Sequence, residues 1–143
     1  MRPEETIDYN IKRTWYNITK MYNRTASQYK ASMSLGMILL NINIAEGTPS
    51  TKLGPNMGME ATSLSRSLKK LEKEKLIKRK NDLSDKRKSI IYLTNKGVKW
   101  REIAKHKVLD FNKKISKNIH KKEMDTFFSV IKKINNIIDA HKK

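Results

Sequence analysis

Hydroxyl groups and cations recur at close intervals between residues 61 and 88. Thr62, Ser63, Ser65 and Arg66 come first, then Lys69, Lys70 and Lys73. After a short apolar stretch, Lys86, Arg87 and Lys88 stand beside Asp82 and Asp85. Hydroxyls donate to phosphate oxygens or base edges, and the guanidinium of Arg66 can grip guanine through two parallel bonds in a major groove. The lysines that follow would neutralise phosphates along a backbone. A narrow minor groove concentrates negative potential and draws in arginine, which suits Arg87 if it rides on a slender projection, with Asp85 holding its guanidinium. The plainer reading of residues 81–88 is a charged turn whose ions pair among themselves.

Positioning such groups takes particular elements. Leu64, Leu68 and Leu71 recur at spacings of four and three, which predicts a helix over residues 61–74 with the polar groups on its other faces. Residues 76–80 and 89–94 read as paired strands around the charged tip, with Ile91 and Leu93 alternating against Ile90, Tyr92 and Thr94. Upstream, Thr48 and Pro49 suit the cap and first position of a short helix over 49–57, and Gly58 makes a turn. Gly54 and Pro55 lie inside that helix. An interior proline costs about 3 kcal/mol in a regular helix, so an irregular one is expected. Short helix, tight turn, longer helix is a helix-turn-helix layout.

The flanks are helical by their periodicity. Pro3, Glu4 and Glu5 suit the opening of a first helix, in which Ile7, Ile11, Trp15, Ile18 and Tyr22 draw one apolar stripe. Ser34 is placed to cap a second, nearly all-apolar helix carrying Leu35, Ile38, Leu39, Ile42 and Ile44. After Gly97 two helices follow, with Trp100 to Ile119 on the first and Met124, Phe127, Phe128, Ile131, Ile134 and Ile138 on the second. The terminal stripes have no obvious cover within one chain, so Ile7, Ile11, Trp15, Phe127, Ile131, Ile134 and Ile138 are candidate dimerisation residues. Tyr16, Met33 and Met37 read as core rather than as ligand contacts.

Composition bounds the function. The chain has 143 residues, the size of one domain, with 32 Lys plus Arg against 14 Asp plus Glu and a formal charge of +18. Such a surplus points to a polyanion, nucleic acid before an anionic membrane surface. Cysteine is absent, which excludes disulfides, thiolate metal sites and thiol redox switches. No apolar run reaches membrane-spanning length, and the N-terminus lacks the apolar core of a signal peptide, so a cytoplasmic protein is expected. There is no phosphate-binding glycine loop, nucleophile elbow or paired-acid motif, so no enzyme and no cofactor are expected. His106 and Asp110, four apart, could share a metal, but no third ligand is near in sequence.

The run DLSDKRKSIIYLTNKG, residues 82–97, resembles the wing of the MarR family of bacterial transcription regulators. The matching positions are Asp82, Asp85, Arg87, Leu93, Thr94 and Gly97, while Leu53, Gly58, Leu64, Arg66, Leu71, Leu76 and Ile77 fit the helix-turn-helix before it. The resemblance implies a mainly α fold with a small β-hairpin wing. It implies a single domain over 1–143, with dimerisation helices at 1–30 and 98–143 and a winged helix-turn-helix lobe at 33–97. It further implies a homodimer on a pseudo-palindromic operator, with helix 61–74 in the major groove, Arg87 in the minor groove and Asp82 and Asp85 supporting the wing. Repression relieved by a small phenolic or anionic effector is part of the same implication, its pocket formed by the first and second helices and the start of the fifth.

Three positions depart from the family pattern. Gly54-Pro55 replaces good helix formers. Glu60 stands where a Ser, Thr or Asp cap is usual, suiting the helix dipole but facing phosphate. Lys75 replaces a helix-ending glycine, where a left-handed turn would cost on the order of 1 kcal/mol. Other readings stay open: a sequence-neutral architectural DNA binder, a metal-dependent protein using His106 and Asp110, and a membrane-surface helix over 113–133.

Overall fold

The computed structural model describes residues 1–27, 32–85 and 87–142, so Lys86 and part of the segment between the first two helices lie outside the described residues. The order is α1 (Ile7–Ala26), α2 (Met33–Asn41), β1 (Thr48–Pro49), α3 (Ser50–Met57), α4 (Ala61–Lys73), β2 (Ile77–Asn81), β3 (Ser89–Leu93), α5 (Asn95–Asn118) and α6 (Lys121–Ala140). The fold is mainly α with a small antiparallel sheet of order β1-β3-β2. The chain divides into two compact units, Met1–Lys105 and His106–Lys143.

Side-chain caps set the helix starts of the first unit. Pro3–Glu5 is a separate 3₁₀ turn rather than the start of α1, because the Thr6 hydroxyl caps α1 by accepting from the Tyr9 amide at 3.3 Å. In the same way Ser32, not Ser34, caps α2, accepting from the Leu35 amide at 3.4 Å. That helix ends at Asn41, short of the expected Ile44, because Ile42 takes an extended conformation and turns its side chain into the core.

Thr48-Pro49 is a strand and not the start of a helix. Thr48 pairs with Ile91 and Pro49 with Ile90, and the buried Thr48 hydroxyl accepts from the Asn43 amide at 2.9 Å. This third strand was not legible in a two-residue segment. The helix α3 follows with Pro55 inside it. It is only eight residues long and closes on Gly58, which takes the left-handed conformation at φ 61°. A Cβ on Gly54 would meet the Met59 carbonyl oxygen at 2.9 Å, so glycine there allows the chain to fold back tightly toward α4.

The core lies where α2, α3, α4 and the sheet meet. Leu35, Ile38, Leu39 and Ile42 meet Leu53, then Leu64, Leu68 and Leu71 of α4, then Leu76, Ile77 and Ile91. Each such buried side chain stabilises by roughly 1.5–3 kcal/mol relative to exposure. Leu93 and Trp100 pack on its edge. The strands sit one residue from expectation at β2, with Ile77 opposite Leu93 and Asn81 opposite Ser89.

In the second unit α6 starts after His120, where the Met124 amide donates to the His120 carbonyl at 3.1 Å. Phe127, Phe128, Val130, Ile137 and Ile138 are exposed there, and Ile131 and Ile134 are half-buried. On α1 of the first unit Ile7, Ile11 and Trp15 are exposed as well. No helix among the described residues is long and apolar enough to cross a membrane.

Candidate nucleic-acid interface

The leucines of α4 face the core and leave its opposite side to polar residues. Thr62, Arg66, Lys69 and Lys73 follow one another at four, three and four residues, so they share a stripe, and Ser63 and Lys70 flank it. All six are exposed. Ser65 is exposed too, but lies toward Glu72, seven residues on and on the same face. A helix with hydroxyls near its start and lysines near its end can donate to base edges and neutralise the flanking phosphates.

Glu60 holds the N-cap position of α4. Its side chain is exposed and makes no capping hydrogen bond, leaving its carboxylate uncommitted to the helix end among the described residues. At the other end Lys75 adopts φ 60°, the left-handed turn its position foreshadowed. That turn is braced from the start of α5. Thr94 donates through Oγ1 to the Lys75 carbonyl at 2.7 Å and accepts from the Gly97 amide at 3.0 Å. The Leu76 carbonyl receives the Thr94 amide at 3.1 Å, and a Cβ on Gly97 would collide with that carbonyl oxygen. Lys96 donates to the Glu74 carbonyl at 3.0 Å. The Leu-Thr and glycine of the wing pattern therefore lock the exit of α4 to the start of α5.

Residues 82–88 join β2 to β3 as the wing tip. The Asp82 carboxylate accepts from the Ser84 amide at 2.9 Å and from its hydroxyl at 2.7 Å. These bonds hold its carboxyl below the usual carboxylate range. The loop closes by Asp82 N–H to the Lys88 carbonyl at 2.9 Å and Lys88 N–H to the Asp85 carbonyl at 3.0 Å. Asp85 accepts from the Arg87 amide at 3.0 Å and from its Nε at 3.3 Å. The Arg87 side chain is 92% exposed, so the guanidinium is aimed outward while one edge is held. Lys88 is exposed beside it, and Lys86 lies outside the described residues.

Two side chains were missed in the sequence. Arg79 stands on the inner face of β2 between Ile77 and Asn81, and its Nε lies 3.3 Å from Oε2 of Glu72 on α4. A basic residue at an inward strand position was the available signal. Tyr16, read as core, is 62% exposed. It lines an open recess of about 430 Å³ with Thr19, Lys20, Asn23, Arg24 and Ser27, all on or next to α1 and not on α2 or α5. The Thr19 hydroxyl is shielded from solvent without a hydrogen bond among the described residues. His106 and Asp110 are exposed, and no group of three or more acidic or histidine side chains among the described residues is placed to hold a metal.

Residues 32–89, spanning α2 to the start of β3, match the MarR family model. The chain is 27% identical over 114 residues to the HTH-type transcriptional regulator BilQ of Clostridium symbiosum (strain WAL-14163), covering 78% of this chain and 79% of that protein. Its fold is similar to that of MepR in the S. aureus MepR–DNA complex, with TM-score 0.84 and 19% identity over 92% of this chain and 97% of that one. It is likewise similar to PcaV of Streptomyces coelicolor in complex with its natural ligand, with TM-score 0.82 and 15% identity over 95% and 96% of the two chains. At these identities the solved structures establish a shared fold.

Proposed function

We propose that this MarR-family, DNA-binding transcription regulator is a sequence-specific repressor that acts as a homodimer on a pseudo-palindromic operator and releases it on binding a small effector. The observation that carries the reading is the pairing of two probes on one compact unit. The polar stripe of α4 suits a major groove, and Arg87, exposed but held by Asp85, suits the minor groove beside it. A two-fold dimer sets its two reading helices about 34 Å apart, or a multiple, which a pseudo-palindrome matches. Exposed Ile7, Ile11 and Trp15 on α1, and Phe127 and Ile138 with half-buried Ile131 and Ile134 on α6, supply apolar surface for the second copy.

The recess on α1 is the effector site in this reading. Lys20 and Arg24 offer charge to an anion and Tyr16 an aromatic face. A regulator with these parts works in the cytoplasm, where its operator is.

Selection from random duplex with the full chain tests the function, and a palindrome with AT-rich flanks is the expected product. No enriched sequence would favour a sequence-neutral binder living on the +18 charge. Arg87→Ala should weaken operator binding by about tenfold, with the loss concentrated at the flanks in a footprint. An unchanged footprint would remove Arg87 from the minor groove.

A further inference from the structure

On the reading of α4 in a major groove and the wing in the minor groove beside it, one sugar-phosphate backbone has to pass between them. In that reading the passage runs beside α4 and β2, the two elements that Glu72 and Arg79 join. Burial falls away along the inner face of β2 in steps of two: Ile77 is buried, Arg79 half-buried and Asn81 exposed. Arg79 is thus still supported by the core and already open outward.

Its geometry is that of a paired but unsatisfied donor. Arg79 Nε is shielded from solvent, lies 3.3 Å from Oε2 of Glu72 as an ion pair, and makes no hydrogen bond among the described residues, with the Arg79 side chain 30% exposed. The two terminal amino groups enter no hydrogen bond or ion pair among the described residues. A guanidinium drawn by charge to Glu72 on its Nε side presents a flat fork on the other, and that fork matches phosphate. Stability alone does not explain the residue. A partly buried ion pair is often no better than apolar side chains of the same volume, and its neighbour on this face is Ile77.

We propose that Arg79 clamps the phosphate between the two grooves, with Glu72 as the positioning residue that orients it. The inference rests on the DNA-binding reading above. It is tested on the full chain by salt titration and phosphate-ethylation interference, comparing wild type with Arg79→Met, Arg79→Lys and Glu72→Gln.

Arg79→Met should weaken binding by about tenfold on every sequence and lower the slope of log affinity against log salt by about one. It should also erase interference at one phosphate per half-site while the flank footprint set by Arg87 remains. Arg79→Lys, which keeps the charge without the fork, should keep the slope and still bind several-fold more weakly. Glu72→Gln should leave the slope unchanged with a smaller loss of affinity. A slope and interference pattern unchanged in Arg79→Met would overturn the clamp, even if the melting temperature fell. Should that variant fail to fold, wild-type affinity in Arg79→Lys would overturn it equally. If selection returned no palindrome, the regulator reading would fall, and the slope on random duplex would still decide the clamp.

Discussion

At the scale of single residues, the wing tip shows how local bonds aim a side chain. Asp82 and Asp85 are exposed enough to be solvated, yet each commits its Oδ1 to the loop that carries Arg87. The Asp82 pKa lies below its ordinary value, first because of the Ser84 hydroxyl and amide. A depressed carboxylate contributes stability that is present above its ordinary pKa and lost as pH falls through the lowered one. The wing should therefore keep its order at neutral pH and lose it only in strong acid. In an NMR titration Ser84→Ala should raise the Asp82 midpoint toward the ordinary carboxylate range, and an unmoved midpoint would discard this cause.

Glu60 belongs to the same scale. Its carboxylate favours the helix dipole by about 0.3–1 kcal/mol but would oppose phosphates in the proposed complex. Glu60→Gln is expected to tighten binding to all duplexes roughly two- to fivefold while lowering stability by a few tenths of a kcal/mol. Isotherms and denaturant melts on the same samples measure both, and tighter binding confined to one sequence would instead indicate a base contact.

At the scale of elements, the exit of α4 matters most. Lys75 sits at φ 60° without the freedom of glycine, held there by Thr94, Lys96 and the close approach of Gly97. Lys75→Gly removes a strain of about 1–2 kcal/mol but adds freedom to the unfolded chain worth about 0.4–1 kcal/mol. The net expectation is a stabilisation of about 0.5–1 kcal/mol, read from the urea midpoint at constant slope. A lower midpoint would mean that the lysine side chain contributes more than the strain it bears.

For the whole molecule, the apolar residues left exposed on α1 and α6 carry the prediction. A +18 chain resists self-association by charge alone, so in the proposed dimer the second copy would have to be held by apolar burial. Phe127→Asp should turn the protein monomeric in sedimentation at micromolar concentration. It should reduce affinity for a palindrome by more than about a hundredfold and leave half-site binding nearly intact. A dimer that survives this change would place its interface elsewhere.

Much of this fold can be read from spacing. The leucines of α4, the alternation in β3 and the acid-acid-arginine pattern of the tip are local, because helix period, strand period and turn chemistry all act within a few residues. The polar stripe of α4 follows from the same period, since whatever its leucines bury, the opposite face is left to solvent. Other features needed the folded chain. Thr48-Pro49 became a strand only because Ile90 and Ile91 lay alongside to pair with it. The choice of Ser32 over Ser34 as a cap depended on where the backbone entered α2. Arg79 gained its ion-pair partner only when β2 lay against α4 and brought it to Glu72, seven residues away in sequence but across a turn in space. Contacts between elements depend on which faces meet, and neither composition nor period specifies that.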